Sequence, residues 1–215
     1  MDISVHVVGV LSTNCYILSD PQTHNCWIID PGGGADALIQ YITEQQLIPR
    51  MILVTHGHMD HFQAAARLKE TYGCRIVFHP EEVAYLNSER LQKSLYAPNV
   101  FRHFREALAD AIWVRDGEKI QDGALDLAVI EVPGHTAHSI CFYDAEDQVV
   151  FCGDTLFAGS VGRTDLYEGD PRELLRTIRA QLMPLPDETI VAPGHGPVSS
   201  IGEERQNNPY VGAGA

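Results

Sequence analysis

Residues 55–61, Thr-His-Gly-His-Met-Asp-His, place four potential metal ligands within six positions: His56, His58, Asp60 and His61. In a tight loop, residues two positions apart can converge on one ion while the following pair turns toward a neighbouring point. Neutral imidazole and carboxylate suit borderline-soft divalent cations such as zinc or ferrous iron. The alternative is a solvated polar loop, but that interpretation gives no reason for this spacing. The segment therefore predicts the beginning of two adjacent metal sites.

Three further ligands are expected in loops that follow strands. His135 follows an apolar run through Pro133-Gly134, and His195 follows another through a second Pro-Gly pair. Asp154 follows a third run through Gly153. A single histidine in a loop is more often a solvated or capping residue, but the shared strand–glycine–ligand context, together with the histidine cluster, favours metal ligation.

The elements that position these residues alternate between short strands and helices. Strands are predicted from β-rich runs bounded by Gly, Pro, Asn and Asp, at 4–8, 15–19, 26–30, 51–54, 75–78, 112–114, 125–132, 139–143, 149–152 and 189–192. Helices are predicted after Gly34, over 62–72 and from an N-cap at Asp170. Residues 80–110 are less regular. Each half thus gives a strand meander followed by strand–helix units, which predicts two sheets packed face to face with helices outside.

Composition limits the classes of function. The net charge of −14, from 29 acids and 15 bases, disfavours a nucleic-acid surface and favours a small-molecule substrate. The sequence contains no run of ~18 apolar residues, which is the length that a membrane span would need. Five cysteines without a CxxC pair, and an N-terminus without a signal-peptide pattern, predict a cytoplasmic location and cysteines that lie in the core. We expect a single domain over 1–211 and a disordered tail over 212–215, and the sequence does not indicate an oligomeric state.

The motifs THGHMDH, PGHT, GDTLF, GRTD and PGHGP, in this order, resemble those of the metallo-β-lactamase superfamily over nearly the whole chain. The sequence is most similar to glyoxalase II-like (hydroxyacylglutathione hydrolase-like) enzymes, particularly to short members with a GRTD segment and an ER-x-x-NP ending. The resemblance implies an α/β fold, a four-layer αββα sandwich. It also implies a first metal on His56, His58 and His135, and a second on Asp60, His61 and His195. Asp154 would bridge them, and Asp instead of Cys there argues against a zinc β-lactamase.

This resemblance implies a binuclear hydrolase with two divalent ions, zinc and/or iron, with manganese as a further option. Its substrate would be a glutathione-derived thioester such as S-lactoylglutathione, cleaved to a hydroxy acid and a thiol by a metal-bridging hydroxide. Asp60 would orient the hydroxide. Arg163 is the candidate anchor for a substrate carboxylate, with a structural salt bridge to Asp165 or Glu168 as the alternative.

Two other activities are weighed against the thioesterase. GRTD also resembles persulfide dioxygenases, in which His56, His135 and Asp154 would form a facial triad around one ferrous iron and the substrate would be glutathione persulfide. The 215 residues also end before the C-terminal helical domain with which long glyoxalase II enzymes grip glutathione. Seven retained ligands favour the two-metal hydrolase, and the acidic composition disfavours a nuclease.

Overall fold

The structure, a computed structural model, describes residues 1–88 and 98–214. Its contacts divide the chain into two compact units, each with its own sheet. The first comprises Met1–Val114 and Gly123–Leu125, and the second comprises Arg115–Asp122 and the residues from Asp126 onward. Within the described ranges, no helix is long and apolar enough to cross a membrane. The predicted single domain over 1–211 and the disordered tail stay predictions.

The first unit is built on a six-stranded sheet in the order β1-β2-β3-β4-β5-β6. The strands are β1 (Asp2–Val8), β2 (Thr13–Ser19), β3 (Asn25–Ile29), β4 (Ile48–Leu53), β5 (Arg75–Phe78) and β6 (Ile112–Trp113). The first three are antiparallel neighbours, and β3 to β6 pair in parallel. Almost every residue of β2 and β3 is buried, and each strand contains an apolar run, residues 15–18 in β2 and 26–29 in β3.

The helices of the first unit are α1 (Ala35–Glu44), α2 (Met59–Phe62), α3 (Ala65–Tyr72), α4 (Glu82–Leu86) and α5 (Pro98–Ala107), followed by a 3₁₀ turn, Leu108–Asp110. Aromatic rings form the centre of its core. Phe62 stacks on Phe104 with ring centroids 4.0 Å apart, and Phe78 meets Phe104 edge-on at 5.5 Å. This packing fixes α2, which carries two of the candidate ligands.

The second unit has a six-stranded sheet in the order β14-β13-β10-β9-β8-β7 and a separate β11–β12 hairpin. The strands are β7 (Lys119–Asp122), β8 (Leu125–Glu131), β9 (Ile140–Asp144), β10 (Val149–Gly153), β11 (Leu156–Phe157), β12 (Ser160–Val161), β13 (Ile190–Pro193) and β14 (Ser199–Ser200). The helices are α6 (Pro171–Thr177), which continues into a π-helical turn, Ile178–Leu182, and α7 (Ile201–Asn207). Strands β10 and β13 are parallel, whereas β8, β9 and β10 are antiparallel neighbours.

One predicted helix differs from the structure. The helix expected over 62–72 is two helices, α2 and α3, with residues 63 and 64 between them. The amide of Ala64 donates to the carbonyl of Pro31 at 2.9 Å, so this amide bonds outside the helix and one continuous helix does not form. The interruption lets Asp60 and His61 project from a short helix of their own.

Candidate metal centre

In the first unit, candidate ligands lie at the carboxyl edge of two parallel strands. Ile29 of β3 pairs with Leu53 of β4, so the residues that follow both strands emerge side by side. Asp30 follows β3, and the histidine segment 55–61 follows β4. The side chains of His56, His58 and His61 are buried, whereas Asp60 is partly exposed.

The imidazoles of this segment converge. His56 Nε2 lies 3.1 Å from His58 Nδ1. Two nitrogens bound to one tetrahedral zinc at 2.0–2.1 Å would lie about 3.3 Å apart, so this spacing suits a shared ion. His61 Nε2 lies 3.5 Å from Asp60 Oδ2, and the ring centroids of His56 and His61 are 4.2 Å apart. The four side chains thus lie close together, and their division between two ions stays a prediction.

Asp30 orients two of these imidazoles, although it is not itself a predicted ligand. Its Oδ2 accepts hydrogen bonds from His61 Nδ1 at 2.8 Å and from the Thr55 hydroxyl at 2.7 Å. Because the Thr55 hydroxyl donates to Asp30, the 3.0 Å contact between Thr55 Oγ1 and His56 Nδ1 has the imidazole as its donor. Protonation at Nδ1 leaves Nε2 of both rings with the lone pair that a metal requires.

The second unit brings its three candidate ligands together around Asp154. Oδ2 of Asp154 lies 3.7 Å from His135 Nε2, and Oδ1 lies 3.5 Å from His195 Nε2. Each carboxylate oxygen therefore faces a different imidazole, an arrangement that suits a carboxylate shared between two cations. His135 Nδ1 donates to the carbonyl of Arg163 at 2.7 Å, so its Nε2 carries the lone pair that a metal requires.

Parallel strand pairing explains this convergence. Gly153 at the end of β10 pairs with Pro193 at the end of β13, and the Gly194 amide donates to the Gly153 carbonyl at 2.8 Å. Asp154 and His195 consequently leave the same edge of the sheet. The β11–β12 hairpin then folds the chain back, and a side chain at Gly162 would place its Cβ 1.8 Å from the Asp154 carbonyl.

The donor chemistry fits divalent metal ions. The two sets comprise five imidazoles and two carboxylates, and three of the imidazoles bond through Nδ1 to oxygen acceptors that fix the tautomer. Such nitrogen and oxygen donors accept zinc, iron and manganese with overlapping preference, so the donor set does not select among them.

Arg163 forms the salt bridge that the sequence analysis left as an alternative. Its Nε and Nη2 donate to the two carboxylate oxygens of Asp165 at 2.7 and 2.8 Å, and both side chains are exposed. These hydrogen bonds lower the pKa of Asp165 to about 2 and raise the pKa of Arg163. The pair lies on a cavity of about 350 Å³ that is also lined by Leu174, Leu175 and Tyr210. Substrate binding by Arg163 stays a prediction.

Sequence reasoning missed the residues that support the ligands. Asp30 is the last residue of a predicted strand and directly precedes the Pro-Gly-Gly-Gly turn, so its position at the strand end was an available signal. Glu82, whose Oε2 accepts the Gly57 amide at 2.7 Å, gave no such signal because it lies in the stretch without clear periodicity.

Comparison with known proteins gives matches over most of the chain. A family model described as the metallo-beta-lactamase superfamily matches residues 8–195. An uncharacterized protein of Mycobacterium leprae is 40% identical over 94% of this chain and 95% of its own length, and the hydroxyacylglutathione hydrolase GloC of Haemophilus influenzae is 37% identical over 98% of each.

Solved structures match as extensively. The crystal structure of BLEG-1 B3 metallo-beta-lactamase has a TM-score of 0.87 and 34% identity, and covers 98% of this chain and 99% of its own. ETHE1 from Myxococcus xanthus has a TM-score of 0.79 and 30% identity, and covers 98% of this chain and 84% of its own.

Proposed function

Because this chain belongs to the metallo-β-lactamase superfamily, we propose that it is a binuclear metal-dependent hydrolase that cleaves a glutathione-derived thioester. A substrate such as S-lactoylglutathione would react with water to give a hydroxy acid and a free thiol. The similarity to GloC, which extends over nearly the full length of both chains, supports this substrate class. All five cysteines are buried thiols outside any disulfide, which supports a reducing compartment, and we place the reaction in the cytoplasm.

The proposed ligand sets follow the family motifs. His56, His58 and His135 would hold one ion, Asp60, His61 and His195 the other, and Asp154 both. The observation that carries the proposal is the position of the Asp154 carboxylate, whose two oxygens face two different imidazoles. A mononuclear centre would not need the second of these contacts.

The protein's own groups have separate roles in this proposal. When bound, the two cations supply a water molecule of lowered pKa and a positive charge beside the substrate carbonyl. Asp60 accepts a hydrogen bond from the attacking water and orients it. Arg163 holds a substrate carboxylate through its guanidinium. The leaving thiolate departs without protonation, so the reaction needs no separate general acid.

Persulfide oxygenation is the second candidate function. It is supported by the resemblance of the GRTD segment to persulfide dioxygenases and by the similarity to ETHE1 of Myxococcus xanthus. His56, His135 and Asp154 would then hold a single iron. This reaction consumes oxygen, whereas thioester hydrolysis does not, so the two candidates differ in a measurable co-substrate.

The deciding experiment follows S-D-lactoylglutathione as loss of the thioester, using protein that retains its native metal. Saturable turnover that His58→Ala abolishes and the exposed-histidine control His103→Ala retains would support the proposal. Oxygen uptake with glutathione persulfide and no thioester turnover would transfer the assignment to the dioxygenase. A third assay uses a β-lactam as substrate. Hydrolysis of the β-lactam would contradict the argument that Asp instead of Cys at position 154 disfavours a zinc β-lactamase.

A further inference from the structure

A buried carboxylate outside the ligand set contacts the metal-binding turn. Glu82 of α4 is only 1% exposed, and its Oε2 accepts the backbone N–H of Gly57 at 2.7 Å. Gly57 is the residue between His56 and His58. A carboxylate is costly to bury, and a charge-assisted hydrogen bond of this length offsets part of that cost. The contact therefore links the fold of α4 to the peptide that joins the two histidines.

Helix α4 also limits the space around this turn. A Cβ built on Gly57 would lie 2.8 Å from Glu82 Oε2 and 2.9 Å from Cδ1 of Tyr85, three residues further along the helix. The Tyr85 ring meets the His58 ring edge-on, with centroids 5.4 Å apart. One face of α4 thus contacts both the backbone between the ligands and one ligand ring.

The two histidines receive support from different elements. His56 is oriented through Thr55 by Asp30, which follows β3. His58 packs on α4, and the Gly57 peptide, whose orientation sets the direction of both side chains, is held by Glu82. Between these two supports, His56 Nε2 lies 3.1 Å from His58 Nδ1.

We propose that Glu82 is a positioning residue for the metal-binding turn, holding the Gly57 peptide so that His56 and His58 converge on one ion. This inference rests on the proposed function, since it takes both histidines as ligands. Removing a group that orients metal ligands typically weakens metal affinity about 10–100-fold. The Glu82 carboxylate acts through the ligands and does not contact substrate.

The test measures zinc affinity of metal-free protein by competition with a chromophoric chelator, together with the melting temperature of the same metal-free protein. We expect Glu82→Ala to bind zinc about 10–100-fold more weakly. Glu82→Gln should be intermediate, because its amide oxygen can still accept from Gly57 without the charge. The control Glu70→Gln removes the same charge at an exposed position of α3 and should bind as the wild type does.

Several results would overturn the inference. Glu82→Ala could bind zinc as tightly as the wild type, or it could melt earlier while its affinity is unchanged, which would make Glu82 merely structural. Equal losses in Glu82→Gln and Glu82→Ala would contradict positioning through a hydrogen bond. If Glu82→Ala does not fold, the comparison of Glu82→Gln with Glu70→Gln decides alone. Failure of the wild type to bind zinc would instead refute the ligand assignment itself, and the inference with it.

Discussion

At the scale of single residues, Asp154 has the most demanding role among the proposed ligands. Asparagine at this position keeps the shape but loses the charge and one acceptor oxygen, so it can no longer serve two cations. We expect Asp154→Asn to lower thioester turnover by more than the about 100-fold typical of losing a supporting residue. Metal analysis of the same protein should find fewer than two ions per chain. The exposed-acid control Asp147→Asn should keep both properties, and full activity in Asp154→Asn would refute the bridging role.

The salt bridge between Arg163 and Asp165 gives a second prediction at this scale. If Arg163 anchors substrate, Asp165 competes for the same guanidinium, so the two substitutions should act in opposite directions. Arg163→Gln should raise KM with little change in kcat, whereas Asp165→Asn should lower KM. Steady-state kinetics of both variants provide the measurement. Equal increases in KM would indicate that the pair is structural.

The same pair has a defined pH dependence. Its hydrogen bonds hold the pKa of Asp165 at about 2, below the ordinary value of about 3.9. A depressed carboxyl pKa stabilises the folded state above the unfolded pKa, and this contribution is lost as pH falls toward the folded pKa. We therefore expect the carboxyl carbon of Asp165 to titrate near pH 2 by NMR in wild type and near its ordinary value in Arg163→Gln. Titration near pH 4 in both proteins would show that the salt bridge does not persist in solution.

The ligand candidates could be found from the sequence, but the contacts that their supporting residues make could not. His56 and His58 are recognisable as ligand candidates from their spacing within one segment. Asp30 orients His61 directly and His56 through Thr55, and these contacts exist only once β3 and β4 pair in parallel. Glu82 lies 25 residues from Gly57, so the local sequence pattern around either residue does not predict their contact.

At the scale of elements, the N-terminus of α6 supports the turn that carries His135. The Asp170 side chain accepts the amides of Arg172 and Glu173 at 2.9 and 3.1 Å, while the Asp170 amide donates to the Gly134 carbonyl at 2.8 Å. We expect Asp170→Ala to lower the free energy of unfolding by about 1 kcal/mol, and Asp170→Asn, an equally good cap, to be nearly neutral. Urea denaturation measures both, and equal losses would mean that capping is not the reason.

Element prediction succeeded where a run of residues is buried as a whole. The strand predicted over 75–78 is β5 with the same bounds, and the cap at Asp170 with Pro171 begins α6 as expected. The short strands β7 and β14 were missed because they form by pairing with a longer neighbour and have little apolar pattern of their own. Helix α7 was missed for a related reason: its Glu204 is buried and accepts from the amide of Gly159, which is a tertiary contact.

At the scale of the whole molecule, the predicted α/β fold of the metallo-β-lactamase family is confirmed by the two sheets and by the matching structures. Both units position candidate ligands in the same way. In each, candidate ligands follow a pair of parallel strands, β3–β4 in one and β10–β13 in the other, where loops leave the sheet side by side. Parallel pairing explains why residues distant in sequence meet, and sequence alone could suggest it only through the strand–glycine–ligand pattern.

The cysteines test how the molecule as a whole opens. All five are buried, at no more than 4% exposure, and burial with the neighbouring Cys74 raises the pKa of Cys26 to about 12, while burial raises that of Cys74 to about 11. A thiol reagent attacks the thiolate, so the native protein should react only when it opens. We expect negligible modification by a disulfide reagent at pH 8, and reaction of all five thiols in guanidinium chloride. If the labelling rate of a thiol rises at denaturant concentrations below the unfolding transition, that thiol becomes exposed through unfolding. A cysteine whose labelling rate is the same with and without denaturant would instead show a local opening that its burial does not predict.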